Sequence, residues 1–134
     1  MPAYRVDVRA GAHELVSDEP AIAGGGDLGP SPFELLLSGL AACTATTLRM
    51  YAEKKGWELT AIEVAVRFDV DVDGQRGIER TITVPIDLSV EQRQRLAAIA
   101  ERTPVTLAIS EGTPINTTLQ TTHMTTPTHQ EQLP

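Results

Sequence analysis

The spacing of hydrophobic residues changes along the chain, and this spacing predicts which elements form. Apolar and polar residues alternate in several short stretches, as they do in half-buried strands. Gly11 separates the first two of these stretches, and Asp73-Gly74 is a hairpin turn signal between the next two. The predicted strands cover residues 3–9, 13–17, 59–72, 78–86 and 115–119.

A long helix has the clearest start signal in the chain. Ser31 with Glu34 three residues later forms a capping box, and Pro32 suits the first helical position. The helix then runs to Gly56, which suits the left-handed position after a helix end. Residues 35–45 carry no charge on any face, so this stretch should be buried all round. A single small domain has too few residues to surround such a long helix, so we expect a second subunit to cover part of it.

A second capping box marks a shorter helix in the C-terminal part of the chain. Ser89 and Gln92 open this amphipathic helix, which runs to about Arg102. Pro104 then interrupts it, and a short turn or helix follows over residues 105–109. The order of strands, long helix, hairpin, helix and strand predicts an α+β fold.

Length and charge limit the classes of protein that the chain can belong to. The 134 residues suit one domain, which we place over residues 1–120, followed by a flexible polar tail over residues 121–134. A net charge of −7 argues against a nucleic acid or an anionic membrane as a partner. The sequence shows no apolar run long enough for a membrane helix and no signal-peptide core, so we expect a cytoplasmic protein.

The loop over residues 18–30 is rich in glycine and proline. Gly24, Gly26 and Gly29 match the spacing of a dinucleotide-binding loop. The residues directly before them, Ile22 and Ala23, are not the end of a strand, and Pro30 follows before the helix begins, so we reject a dinucleotide site. The loop is then either functional, or part of an interface, or a mobile surface connection.

The histidines and the single cysteine narrow the possible chemistry further. Two of the three histidines lie in the predicted tail, and one cysteine cannot form a disulfide or a cysteine-based metal site within the chain. We therefore expect no metal and no cofactor. The histidines are His13, His123 and His129.

Cys43 is the remaining candidate for chemistry. It lies in the middle of the predicted long helix, where a lone cysteine is ordinarily a small and unreactive core residue. The helix start is about three turns away, so a reactive thiol here would require an arginine from elsewhere. On the residues alone, the unreactive interpretation comes first. The candidate arginines are Arg5, Arg9, Arg102 and Arg80, the last of which falls on the apolar face of its strand.

Residues 18–59 closely resemble the OsmC/Ohr family, in particular its OsmC-like branch. The glycine-proline loop, P-x-E-L-L-L at the helix start, A-A-C-T within the helix and L-R-M-Y-A after it occur in the family's order. A T-P-V turn continues the match, which covers roughly residues 3–119. The resemblance implies antiparallel sheets wrapped around a long central helix in an intertwined homodimer.

The resemblance also implies a thiol peroxidase that reduces organic hydroperoxides under oxidative stress. In that family a peroxidatic cysteine becomes a sulfenic acid, a second cysteine in a C-P-V turn closes a disulfide, and an external dithiol reduces it. Cys43 matches the peroxidatic position, whereas Thr103 stands at the resolving position. The family's activating glutamate follows the helix proline directly, where this chain has Phe33. Glu34 comes one place later, and capping explains it.

Two functions from different classes remain open. In the first, Cys43 is the catalytic residue of a one-cysteine peroxidase, and an external thiol resolves its sulfenic acid. The retained cysteine motif favours this hypothesis. In the second, the protein has lost peroxidase activity and binds a small apolar molecule in the old pocket. The missing resolving cysteine at Thr103 favours that alternative.

Overall fold

The structure, a computed structural model, describes residues 4–122 and confirms the α+β class. Within that range each of two antiparallel pairs of strands forms a separate sheet. The strands are β1 (Val6–Ala10) paired with β2 (His13–Ser17), and β3 (Glu63–Val70) paired with β4 (Arg76–Thr83). The α-helices are α1 (Pro32–Lys55), α2 (Val90–Ala100) and α3 (Pro104–Ser110).

Helix α1 begins and ends as the sequence predicts. The Ser31 hydroxyl accepts a hydrogen bond from the Glu34 amide at 3.2 Å, and the Glu34 carboxylate accepts one from the Ser31 amide at 2.8 Å. These two bonds close the predicted capping box. Gly56 ends the helix in the left-handed conformation, with φ at 73°. Capping therefore accounts for the Glu34 carboxylate.

Several predicted boundaries need correction. Strand β4 ends at Thr83 rather than at residue 86, because Pro85 has no N–H to donate to a sheet. Helix α2 ends at Ala100, two residues before the predicted end at Arg102. The strand predicted over residues 115–119 is wrong for this chain, because no strand in the described range pairs with the segment and a strand needs such a neighbour.

The remaining predictions concern the helix after Pro104, the first strand and the tail. The turn or helix expected over residues 105–109 is the helix α3. Strand β1 covers Val6–Ala10, whereas residues 3–9 were predicted. Most of the predicted tail, residues 123–134, lies outside the described residues.

The hydrophobic core lies between α1, α2 and the sheet of β3 and β4, and it uses only one face of α1. On the other side of this helix Leu36 and Met50 are exposed, Met50 to 60%. Within one chain residues 35–45 are therefore buried on one face only, and their cover by a second subunit stays a prediction. The core side chains are Leu48, Ala52, Leu59, Leu88, Leu96 and Ala100.

The glycine-rich loop is fixed by a buried carboxylate. Asp18 is 1% exposed, and its Oδ1 accepts a hydrogen bond from the Glu19 amide at 2.8 Å. Its Oδ2 accepts bonds from the amides of Gly26 at 3.1 Å and Leu28 at 3.2 Å. Since these bonds tie both ends of the loop to one side chain, they argue against a mobile surface connection.

Gly29, at the end of this loop, lies against β2 with no room for a side chain, because a Cβ there would collide with the Val16 carbonyl. We expect Gly29→Ala to lower the free energy of unfolding by about 2–3 kcal/mol. Urea denaturation measures the change. Gly77→Ala is the matched control, since a Cβ at Gly77 meets open space. Equal stabilities of the two variants would contradict the close packing of the loop.

Candidate functional site

Cys43 lies on α1 with its thiol partly exposed. The Sγ atom is 3.9 Å from the hydroxyl oxygen of Thr47, one helical turn further on. This is a weak hydrogen bond, since sulfur is a poor donor and a poor acceptor. In the part of the chain that the structure describes, no other hydrogen bond or ion pair reaches the sulfur. Within residues 4–122, therefore, no cation is bonded to the thiol.

Three of the candidate arginines are engaged elsewhere or stand free in solvent. Arg5 pairs with Asp7 at 3.0 Å, and Arg9 pairs with Glu14 at 3.3 Å, both in the exposed hairpin of β1 and β2. Arg102 is exposed beyond the end of α2. Over residues 4–122 the structure therefore brings none of these three into a hydrogen bond with the thiol.

Arg80 is the arginine that the strand pattern placed on an apolar face, and its side chain is only 12% exposed. Its Nη1 donates hydrogen bonds to the hydroxyls of Thr44 at 3.0 Å and Thr106 at 2.8 Å. Its Nη2 donates to the Ala100 carbonyl at 3.0 Å, at the end of α2 where helical carbonyls lack partners. The Glu101 carboxylate lies 3.5 Å from Nη2. Arg80 therefore ties β4 to all three α-helices.

Arg80 contacts the residue beside Cys43 rather than Cys43 itself. Thr44 is fully buried, and its hydroxyl donates to the Leu40 carbonyl at 2.7 Å while it accepts from Arg80. Successive residues of a helix point about 100° apart, so the thiol and the Thr44 hydroxyl lie on different faces of α1. The positive charge of Arg80 is therefore held on the buried face.

Thr103, at the predicted resolving position, is the N-cap of α3. Its side chain is fully buried, and its hydroxyl accepts a hydrogen bond from the Thr106 amide at 3.3 Å. The two threonine hydroxyls are 2.6 Å apart, which links Thr103 through Thr106 to Arg80 and Thr44. Sequence reasoning missed Thr44 and Thr106, because no spacing distinguishes them from other threonines. We call this set of four side chains the Arg80 network.

Two further observations concern metals and membranes. Among residues 4–122 no group of three or more histidine, cysteine or carboxylate side chains is placed to hold a metal ion. In the same range no helix has the length and apolar character needed to cross a bilayer.

The fold is similar to several solved structures. An OsmC-like protein from Mycoplasma pneumoniae superposes with a TM-score of 0.65 at 20% identity, over 79% of this chain and 79% of that one. The organic hydroperoxide resistance protein OsmC of Legionella pneumophila gives a TM-score of 0.51 at 19% identity, over 78% of this chain and 88% of that one. A third structure is that of a Vibrio cholerae protein described as an organic hydroperoxide resistance protein, with captopril in one of its active sites. It superposes with a TM-score of 0.55 at 19% identity, over 78% of this chain and 83% of that one. At these identities the likeness concerns the fold alone.

Sequence comparison gives the family. No curated protein matches the chain. The family model described as OsmC-like protein matches residues 24–118, a range that contains α1 with Cys43, the hairpin of β3 and β4, and both shorter helices. Since this match extends over well more than half of the 134 residues, the protein belongs to the OsmC-like family.

Proposed function

We propose that the protein is a one-cysteine thiol peroxidase that reduces organic hydroperoxides, with Cys43 as the catalytic residue. One observation carries this proposal: the chain's only cysteine lies on α1, in the family's helix motif, with its thiol partly exposed. The hydroperoxide resistance proteins of similar fold support the substrate class. A catalytic thiol that must stay reduced also suits the cytoplasm, where we place the protein.

The proposed reaction needs two external thiols for each hydroperoxide. The Cys43 thiolate attacks the terminal peroxide oxygen, the O–O bond breaks, and the alkoxide leaves as the alcohol after it takes up a proton. The resulting sulfenic acid condenses with one external thiol, which releases water and forms a mixed disulfide. A second external thiol attacks this disulfide and frees Cys43. The two external thiols are thereby oxidised to their own disulfide.

A second copy of the chain is part of this proposal. The exposed face of α1, which includes Leu36 and Met50, is apolar and lies on the helix that carries Cys43. We infer that a homodimer covers this face. Since no cation is bonded to the thiol among residues 4–122, we also infer that the second copy brings one to it.

Assembly gives a direct test of this inference. At micromolar concentration we expect sedimentation equilibrium to give twice the chain mass of 14.4 kDa. Leu36→Lys should shift the protein toward the monomer, because it places a charge on the apolar face of α1. Val72→Lys is the control, since Val72 is fully exposed in the hairpin turn. A wild-type monomer at this concentration would contradict the dimer.

Turnover in the presence of an external thiol tests the proposed activity itself. Purified protein is mixed with cumene hydroperoxide and either a monothiol or a dithiol, and the loss of peroxide is followed. We expect many turnovers per chain with thiol and no more than one without it. If the peroxide is lost no faster than in a solution of the thiol without protein, the proposal is overturned.

The alternative function is binding of a small apolar molecule without peroxidase activity. Two observations favour it: Thr103 caps a helix where the resolving thiol would stand, and Cys43 has no cation bonded to it within the described chain. A bound molecule in native mass spectra, retained in Cys43→Ser, together with no peroxide turnover, would support this alternative. Peroxide turnover by a protein that shows no bound molecule in native mass spectra would exclude this alternative.

Thr103→Cys tests the carried-over resolving position. After hydroperoxide treatment we expect the variant to form an intrachain disulfide with Cys43 and to lose two hydrogens in mass. The substitution removes the α3 cap, at a cost of about 1 kcal/mol. A disulfide requires Cα atoms within roughly 7 Å, so the variant also reports proximity. Thr60→Cys, at an exposed site beyond α1, should form no such bond. Two free thiols in the oxidised Thr103→Cys chain would refute the assignment of Thr103.

A further inference from the structure

A cavity of about 360 Å³ opens beside Arg80, between β4, α3 and the buried face of α1. Its apolar lining comes from Leu40, Ile78 and Ile109, one side chain from each of these three elements. This volume falls at the small end of the range for ligand pockets. Cys43 does not line the cavity, so it is a different place from the proposed peroxidase site.

The Arg80 guanidinium contributes a positive charge to this cavity, and its donors are not all used. Three of its hydrogen bonds belong to the Arg80 network and the end of α2. Its Nε has no hydrogen-bond partner among the described residues, and Nη2 faces the Glu101 carboxylate at 3.5 Å. That distance is longer than a charge-assisted hydrogen bond, and the Glu101 side chain is 77% exposed. The Glu101 contact is therefore weak and easily exchanged.

We propose that this cavity binds a small monocarboxylate with a short apolar chain. Its carboxylate displaces Glu101 and accepts two hydrogen bonds from Nε and Nη2 of Arg80, an edge of the guanidinium that matches the two oxygens of a carboxylate. The apolar chain lies against Leu40, Ile78 and Ile109. This binding is separate from the peroxidase proposal and does not depend on it.

The charges around the cavity select the class of ligand. Glu101 and Glu79 both line it, but Glu79 alternates with Arg80 along β4 and lies opposite Arg67 on the outer face, so the Glu101 carboxylate is the one beside Arg80. A dianion such as phosphate carries more charge than the single guanidinium can balance. A monocarboxylate replaces Glu101 beside Arg80 with two charged acceptor oxygens, whereas a neutral amide offers one uncharged carbonyl oxygen.

The test compares hexanoate with its neutral counterpart hexanamide, both titrated into the full chain by calorimetry and by amide NMR. We expect hexanoate to bind at least about tenfold more tightly than hexanamide. Its binding should shift the amide signals of Thr106, Ile109 and Ser110, which line the cavity. Glu101→Gln should strengthen hexanoate binding by about threefold or more, because it removes the competing carboxylate.

Two control variants make the outcome decisive. Glu91→Gln changes the charge of the chain equally at the opposite end of α2, and it should leave hexanoate binding unchanged. Cys43→Ser should also bind hexanoate as the wild type does. The proposal is overturned if neither probe binds, if both bind equally well, if Glu91→Gln acts like Glu101→Gln, or if Cys43→Ser abolishes binding. The peroxidase proposal is unaffected by any of the first three results.

Discussion

Replacing Cys43 with serine is expected to reduce hydroperoxide turnover to the background rate of the external thiol, a loss of at least about a thousandfold. A serine hydroxyl stays protonated at neutral pH and is a far poorer nucleophile toward a peroxide oxygen than a thiolate. The chain has no second cysteine to take over the reaction. The rate of cumene hydroperoxide loss with excess thiol measures the effect.

The fold should survive this substitution. The Sγ atom makes one weak contact, with Thr47 at 3.9 Å, so we expect the free energy of unfolding to change by less than about 1 kcal/mol. Thr47→Val is the matched control, because it removes that contact but keeps the thiol; it should retain activity within about tenfold. Substantial turnover by Cys43→Ser would show that the reaction does not use this cysteine.

Arg80→Met should have the largest effect on stability, a loss of about 3 kcal/mol in the free energy of unfolding. Methionine fills much of the space of the arginine stem but donates no hydrogen bond. The hydroxyls of Thr44 and Thr106 and the Ala100 carbonyl then lose a charged donor in a largely buried place. Urea denaturation monitored by circular dichroism gives the change.

Arg67→Met is the control for this substitution. Arg67 lies on the outer face of β3, where it pairs with Asp69 at 3.0 Å and its side chain is 67% exposed. We expect its replacement to change stability by less than about 1 kcal/mol, as for other surface ion pairs. If Arg80→Met and Arg67→Met are equally stable, the Arg80 network does not hold the helices to the sheet.

Local signals made much of the fold predictable from the sequence. The capping residues Ser31 and Glu34 lie three positions apart, so one short window contains the whole start of α1. A short window over β4 likewise shows Arg80 as an exception on an apolar face, but it does not show the partners of that side chain. Thr44 and Thr106 lie 36 and 26 residues away, and only the tertiary structure brings them together.

In two segments the sequence indicated buried side chains but did not show which part of the protein covers them. Residues 35–45 are apolar on every face, yet one chain covers only one of those faces. The alternation over residues 115–119 is that of a strand, yet Ile115 and Leu119 are exposed in this chain. Both patterns agree with the proposed homodimer. The role of Cys43 is not predictable from the fold, because the same position suits an unreactive cysteine.

The most direct test of Cys43 as a peroxidatic residue is the intact mass of the protein after one equivalent of cumene hydroperoxide. We predict that the chain gains one oxygen atom, located on Cys43 by peptide mapping, and that added thiol converts this product to a mixed disulfide. The Cys43→Ser chain should gain nothing under the same conditions. An unchanged mass of the wild-type chain, with the hydroperoxide still present in full, would contradict the proposed function.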